Sequence, residues 1–460
     1  MRLSPRSIGI LRRTLLGVAA IATVLALFVV EENWRGDRAW RAYQEEMKAR
    51  GLSFELDALQ TPPVPDDRNF LQEPALAKIV FGAGDVATRE KILADAGLTH
   101  PMRSTALQVE GPIDWRRVRA AFPTRNAPAP VAQAAAEVLA DMEIARPVLD
   151  AVRRAAAERP DTWLPLRTAD DVVHGMIPLA AWGLGRALNL RANAELALGN
   201  NAEAFADLWA ILRLATAIEE RPTVLGVRTT YLLHRMAAGT LQRGLVQHAW
   251  TDAQLKMIER VWLDRDPATL LRRGIWGERL LQIYALESEP TARVQLDLPF
   301  WFFHGWLQQS KIRVCRLGDD LLDAIDVANG KVSVEKLRQH DQALEKVRGS
   351  FAPVRVLARL ITLKASGPVT SSMEDSLRID QAIVAAALER HFLAHGSYPA
   401  SLDELIPTYL PKVPAPLFDS APMQYQRTDR GYSLHSARWE ATDRDLAWEI
   451  SAGNATGSPP

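Results

Sequence analysis

The sequence has 460 residues and carries 55 Lys and Arg against 55 Asp and Glu, so its net charge is zero. This balance gives no electrostatic basis for binding nucleic acid, which needs a basic surface. Hydrophobic residues make up 48% of the chain, enough for a sizeable core, and the single cysteine, Cys315, excludes a disulfide within the chain.

The first predicted element is an uncharged apolar stretch, residues 14–30, with the sequence TLLGVAAIATVLALFVV. As a helix it spans about 25 Å, against roughly 30 Å of bilayer hydrocarbon, and we interpret it as a transmembrane anchor. Arginines precede it, and Glu31 and Glu32 follow it, which predicts a cytoplasmic N-terminus and an extracytoplasmic body. The alternative is a cleaved signal peptide, although residues 28–30 are bulkier than a cleavage site prefers.

Two segments connect this anchor to the main part of the chain. Residues 31–60 are predicted to form a stalk helix, because Trp40, Tyr43 and Met47 follow one another at helical spacing. Residues 61–129 begin with a proline-rich linker and continue as a mixed region, whose short apolar pieces alternate with polar turns and include possible strands.

Residues 130–364 have the pattern of an α-helical body. Its clearest pair is 184–198 and 202–220, joined by a short turn, and the motif A-x-L-A-L-G-x-x-x-E-A across that turn resembles a tetratricopeptide repeat. The resemblance covers little more than one repeat and implies a helical hairpin. Short connections predict antiparallel neighbours, so we expect a solenoid-like array of helical hairpins. Further helices are predicted at 225–246, 252–263, 267–286, 308–327 and 334–348.

An aromatic cluster interrupts the body at residues 298–307, LPFWFFHGWL. One interpretation is a second contact with the membrane, at the interface that faces the anchor. The other is a buried aromatic plug between helices, which is the commoner fate of such clusters. The residues concerned are Phe300, Trp301, Phe302, Phe303 and Trp306.

The C-terminal part is predicted to be a separate α+β unit. Residues 365–375 are rich in Ser, Gly, Pro and Thr, which is typical of a flexible linker. Residues 376–395 show helical periodicity. The alternating segments 423–427 and 432–436 predict a hairpin, and 445–450 alternates in the same way. One helix on a small antiparallel sheet forms a unit of this class.

This unit contains four short motifs in chain order: G-x-Y-P, S-L-x-E-L, P-x-Y-L-P-x-V-P and G-Y-x-L. They are carried by Gly396, Tyr398, Pro399, Ser401 to Leu405, Tyr409 to Pro414, Pro422, Tyr425 and Gly431 to Ser436. Together they resemble the globular end of the major pseudopilins of type II secretion. The whole layout also resembles a class of uncharacterised bacterial membrane-anchored proteins with such a tail, which implies a bacterial origin.

Two departures limit what this resemblance implies. The hydrophobic helix of a pseudopilin directly precedes its globular end, whereas more than 340 residues intervene here. The acidic, glycine-rich calcium loop of that family is replaced by residues 437–444, ARWEATDR, which contain no glycine. Because a hard cation needs several converging oxygens, calcium binding is not predicted.

Candidate chemistry is sparse. His391 and His395 stand at i, i+4 and could place two imidazoles on one side of a helix as metal ligands, but no third ligand is evident. The alternative is that both pack at the edge of the core. Asp170, Asp171 and His174 could form an acid–base group or cap a helix. Motifs for a nucleophile elbow, a Walker loop or a C-x-x-C pair are absent from the sequence, so no catalytic residue and no cofactor is predicted.

The sequence therefore predicts a mainly α protein, with its chain anchored in the inner (plasma) membrane by a single pass. We expect an extracytoplasmic scaffold or protein-interaction protein with a protein partner of unknown identity. The alternative is a membrane-tethered hydrolase or metal-dependent enzyme, whose site distant residues such as His174 and His234 would assemble. The predicted segments are a cytoplasmic N-terminus (1–13), the anchor (14–30), the stalk helix (31–60), a linker and mixed region (61–129), the α-helical body (130–364), a linker (365–375), the pseudopilin-like α+β unit (376–450) and a disordered tail (451–460).

Overall fold

The computed structural model describes residues 5–82, 86–98, 113–115, 118, 131–165, 176–288, 304–348, 366–418, 421–436 and 446–451. This part of the chain is mainly α, as predicted, with small antiparallel sheets. The helices are α1 (Pro5–Ala49), α2 (Pro74–Phe81), α3 (Val86–Asp95), α4 (Val131–Asp141), α5 (Arg146–Glu158), α6 (Met176–Ala197), α7 (Asn201–Glu219), α8 (Val224–Val246), α9 (Asp252–Leu263), α10 (Pro267–Ser288), α11 (His304–Asp323), α12 (Val334–Arg348) and α13 (Ser366–His395).

The strands form two sheets. A two-residue hairpin pairs β1 (Ile325–Asp326) with β2 (Lys331–Val332). The larger sheet has the order β3-β4-β5 and is antiparallel throughout, with β3 at Gln424–Thr428, β4 at Gly431–Ser436 and β5 at Leu446–Ser451. The predicted hairpin and the third strand are thus confirmed.

The described residues fall into two compact units. The first unit takes its residues from 1–58, 279–320 and 339–363, and the second from 59–278, 321–338 and 364–460.

The first unit is organised along α1. This helix is the one in the described part of the chain that is long and apolar enough to cross a membrane, and most of its apolar side chains between residues 15 and 30 are exposed. It continues without interruption to Ala49, and Trp40, Tyr43 and Met47 are buried along its second half. The helical spacing predicted for these three residues is therefore confirmed.

A buried polar group joins the second half of α1 to α10 and α11 inside this unit. The Tyr43 hydroxyl donates to Asp319 at 3.0 Å, and Arg279 donates to the same carboxylate at 2.7 Å. Arg279 also donates to the Tyr43 oxygen at 3.1 Å. Burial raises the pKa of Tyr43, so the phenol stays protonated as a donor. The hydrogen bonds among these three side chains fix the orientation of the buried Arg279 and Asp319 charges.

The contact between α1 and α11 depends on two glycines. A Cβ atom on Gly36 would lie 2.4 Å from the Gly305 carbonyl oxygen, and one on Gly305 would lie 2.1 Å from the Glu32 carbonyl oxygen. The backbone N–H of Gly305 donates to the Asn33 side chain at 2.7 Å. Only residues without a side chain allow two helix backbones to approach this closely.

Gly305→Ala should destabilise the full-length protein by about 1–3 kcal/mol, because the new methyl group meets backbone that cannot rotate away. Thermal unfolding of the purified protein in detergent measures this loss. Gly367→Ala is the matched control, because nothing lies within 4 Å of its Cβ position. Equal melting temperatures for both variants would contradict the close contact.

The second unit is built around α13. Its residues 381–391 are all buried, and α8, α9, β4 and β5 pack against the helix. The small side chains of Ala382 and of residues 385–387 let neighbouring elements approach on several faces. The predicted helical hairpin is present as α6–α7, and both of its helices pack on α8. Helix α8 in turn packs on α13, the central helix of this unit.

The predicted linker at 365–375 is wrong for the described residues 366–375, which form the first turns of α13. Pro368 stands in the first turn, where a missing N–H costs nothing. Val369, Ser372 and Met373 are buried, so this polar-looking segment forms part of the packed core. The boundary predicted between body and C-terminal part therefore falls inside the second unit.

The described part of the region 61–129 also differs from the prediction. The apolar piece AKIVF belongs to α2, and α3 follows it, where short strands were considered. Helix α2 has a local reason to form: the Glu73 side chain accepts from the Leu76 N–H at 2.9 Å, and Pro74 follows the cap.

Candidate functional site

The end of α13 carries a polar triad of His248, Glu389 and Tyr398. His248 Nδ1 lies 2.7 Å from Glu389 Oε1, and the Tyr398 hydroxyl donates to Glu389 Oε2 at 3.1 Å. The Glu389 side chain is 1% exposed, and burial raises its pKa while the bonds to His248 and Tyr398 lower it. Both carboxylate oxygens therefore have a partner, which a buried carboxylate requires.

Packing fixes the orientation of the His248 ring. The ring stacks on Phe392 with centroids 4.6 Å apart, and Phe392 stacks on Tyr398 at 4.9 Å. His248 lies in the connection between α8 and α9 with φ at 51°, a left-handed conformation that is uncommon outside glycine. It is the left-handed position of a Schellman motif at the end of α8, in which the Ala249 N–H donates to the Gly244 carbonyl at 2.9 Å and the His248 N–H to the Leu245 carbonyl at 3.1 Å. The backbone conformation of His248 therefore ends the helix.

This geometry leaves one imidazole nitrogen for chemistry. Nδ1 faces the carboxylate, so an ionised Glu389 selects the tautomer with the proton on Nδ1 and the lone pair on Nε2. The side chain of His248 is 37% exposed. A carboxylate-oriented imidazole is the arrangement used by general bases and by histidine metal ligands. Among the described residues, the side-chain hydrogen bond of this ring is the one to Glu389.

His391 and His395, the predicted metal candidates, lie on the next turn with their rings stacked at 4.2 Å. His391 is buried, and its Nδ1 lies 2.9 Å from the Ser397 carbonyl. His395 is exposed, and its Nδ1 lies 3.0 Å from the His391 carbonyl. One nitrogen of each ring thus contacts a backbone carbonyl. Among the described residues, no group of three or more potential metal ligands surrounds them.

The distant residues considered for a hydrolase do not form a described site. Asp170, Asp171 and His174 lie outside the described residues. His234 is fully buried, where its Nδ1 accepts from Trp262 Nε1 at 3.0 Å. Burial and the positive charge of Arg265 lower the pKa of His234 to about 4, so the ring is neutral and structural.

Of the aromatic cluster at 298–307, Phe300, Trp301, Phe302 and Phe303 lie outside the described residues. Trp306, on the first turn of α11, is 43% exposed. This exposure does not fit a fully buried plug at Trp306.

Sequence reasoning missed the triad and also a second polar contact of α13. Arg390, which follows Glu389, pairs with Glu259 at 2.5 Å and Asp252 at 2.9 Å, both on α9. The sequence signal for these contacts was weak, because Glu389 and Arg390 directly follow the apolar run 382–388. Partners more than 100 residues away cannot be chosen from spacing alone.

Comparison of the chain with models of known protein families, with curated proteins and with solved structures gives no match. The pseudopilin-like and tetratricopeptide-like resemblances therefore stay predictions.

Charged contacts also hold α13 against its neighbours at the other end of the helix. Arg228 and Arg235 of α8 both pair with Asp375. One turn further along, burial raises the pKa of Asp380 to about 7, and the nearby Arg265 opposes this effect. Asp380, which is half-buried on α13, thus titrates in the neutral range.

The pH dependence of stability follows from this shift. The folded protein binds the Asp380 proton more tightly than the unfolded chain, where aspartate titrates at about 3.9. Its contribution to the free energy of unfolding is therefore present at acid pH and is lost as the pH rises through about 7. Asp380→Asn should raise the melting temperature more at pH 8 than at pH 5.

The measurement is thermal unfolding of the full-length protein in detergent at both pH values. Asp403→Asn, at an exposed carboxylate, is the control and should leave the difference between the two pH values unchanged. A difference that is the same in wild type and Asp380→Asn would rule out this titration.

The histidine pair yields a separate prediction. His391→Ala should cost about 1–3 kcal/mol of stability, since it removes a buried ring and leaves the Ser397 carbonyl without this donor. His395→Ala should cost less, because that ring is exposed. Melting temperatures should not respond to a chelator in either variant or in wild type. A rise on addition of Zn²⁺ that is lost in the double variant would instead establish a metal site.

Proposed function

We propose that this chain is a single-pass protein of the inner (plasma) membrane whose extracytoplasmic body serves as a scaffold for another protein. The observation that carries the proposal is the continuity of α1. One helix contains the exposed apolar stretch and, further along, the residues Trp40, Tyr43 and Met47 that the first unit buries. The first unit is therefore fixed directly to the segment that would enter the bilayer.

This continuity supports an uncleaved anchor over a signal peptide. The helix passes residue 30 without a break, and the residues just beyond it take part in packing. Glu32 accepts from Gln309 at 3.0 Å, and Asp37 contacts His304 at 2.8 Å. A cut after the apolar stretch would create a new chain end next to these contacts.

The orientation rests on charge. Arg2, Arg6, Arg12 and Arg13 precede the apolar stretch, and Glu31 and Glu32 follow it, so the positive-inside rule favours a cytoplasmic N-terminus. The scaffold role rests on architecture, since packed helical hairpins present extended surfaces to protein partners. The second unit exposes single apolar side chains such as Ile144, which is 72% exposed.

An enzyme is the second candidate, favoured by the oriented imidazole of His248. The dyad with Glu389 could act as a general base on a bound substrate.

The topology is tested with single cysteines in the full-length chain, because the native Cys315 is buried. In intact cells a membrane-impermeant maleimide should label Asp403→Cys, whereas Ser4→Cys should react only after the membrane is opened. The reverse pattern would overturn the orientation, and recovery of a soluble chain that starts near Glu31 would overturn the anchor.

The scaffold role is tested in the same cells with a photo-crosslinking amino acid at Ile144. Discrete adducts with another protein that are absent for the same probe at Asp403 would support a specific partner. Adducts that are identical at both positions would count against it.

A further inference from the structure

The contacts between α1 and α11 set the direction of α11. Gly305 contacts Asn33 and Gly36, and further along, Lys311 lies over the Trp40 ring at 4.2 Å. Residue numbers on both helices rise together.

The same order continues at the far end. Asp319 accepts from Tyr43, and Arg316 pairs with Glu46. The two helices therefore run parallel, and the first turn of α11 lies beside the part of α1 that directly follows the apolar stretch.

The position of this turn can be compared with bilayer dimensions. Asn33 comes three residues after Val30 and Trp34 four, so they stand about 4.5 to 6 Å beyond the apolar stretch along the helix axis. The polar headgroup layer is about 5–7 Å thick on each side of the hydrocarbon. Gly305, bonded to Asn33, is thus placed at the level of the headgroups. Asp319, beside Tyr43, stands roughly 20 Å beyond the stretch and clear of the layer.

Two tryptophans at this level have exposed side chains. Trp34 on α1 is 56% exposed, and Trp306 on α11 is 43% exposed. Tryptophan favours the membrane–water interface, because its ring is apolar and its N–H reaches polar groups. The Arg38 guanidinium lies 5.4 Å from the Trp34 ring centroid, which adds a cation suited to phosphate at the same depth.

We infer that the first turn of α11 is a second membrane contact, in which Trp306, together with Trp34 of α1, inserts into the headgroup layer of the bilayer that α1 crosses. The occupant is lipid, because the first turn of α11 is bonded to α1 at Asn33, three residues past the exposed apolar stretch and therefore at the depth of the headgroups. This inference rests on the proposed anchoring of α1, and it adds a second point of membrane contact, on α11. A helix held at one point can tilt and spin, whereas contact through a second helix fixes its rotation.

The test measures the depth of single probes in the full-length protein reconstituted into phosphatidylcholine vesicles. A Cys315→Ala background leaves one thiol per variant, which is labelled with the fluorophore NBD. The positions are Trp306→Cys and Trp34→Cys for the contact, Val24→Cys for the anchor and Asp320→Cys as the matched control on α11. Asp320 is exposed and lies about 21 Å further along the helix than Trp306.

The contact predicts a blue-shifted NBD emission at 306 and 34, with strong quenching by a headgroup spin label and weak quenching by a spin label at mid-chain. The probe at 24 should be quenched by the mid-chain label, and the probe at 320 by neither. Water-like emission at both 306 and 320 with normal quenching at 24 would overturn the contact and keep the anchor. Loss of quenching at 24 would overturn the anchor itself. Circular dichroism of each variant checks that the helices have formed. Because positions 34 and 306 lie on different helices, the same NBD emission and quenching at both excludes a local effect of one substitution.

Discussion

The burial of residues 381–391 of α13 on all sides is the constraint on which the second unit depends. A helix surrounded by protein can keep polar residues only if each finds a partner, because a buried polar group without one costs roughly 1–3 kcal/mol. Glu389 and Arg390 meet this requirement through His248, Tyr398 and two carboxylates of α9. The connection after α8, the start of α9 and the loop after α13 are thereby held to one helix.

Local chemistry made much of the fold predictable. The predicted bounds of α9 and α12 match the structure, and for α9 the reason is visible in a capping box. The Thr251 side chain accepts from the Gln254 N–H, and the Gln254 side chain accepts from the Thr251 N–H. Likewise α13 ends where Gly396 takes a φ of 73°, which few other residues adopt. Signals of this kind need no information from the rest of the chain.

What could not be predicted depends on distant partners. Residues 366–375 have the composition of a linker. They are buried because α8 and α10 place apolar side chains around Val369, namely Val224, Val227, Leu271 and Ile275. The triad joins residues 141 positions apart, so its sequence signal is a lone histidine and an ordinary glutamate. Gly36 and Gly305 are a similar case. Their role is to allow the close approach of α1 and α11, and it can be recognised only when the packing of these two helices is known.

The place of α13 in the sequence has a consequence for how the second unit reaches its native state. Helix α8 precedes its main partner by more than a hundred residues, so its apolar face forms well before the ribosome has made the helix that covers it. Contacts between distant segments close slowly, and uncovered apolar faces promote aggregation in the meantime. The face of α8 that α13 covers is therefore without this partner until synthesis passes residue 366. A holding chaperone would be of greatest use during that interval.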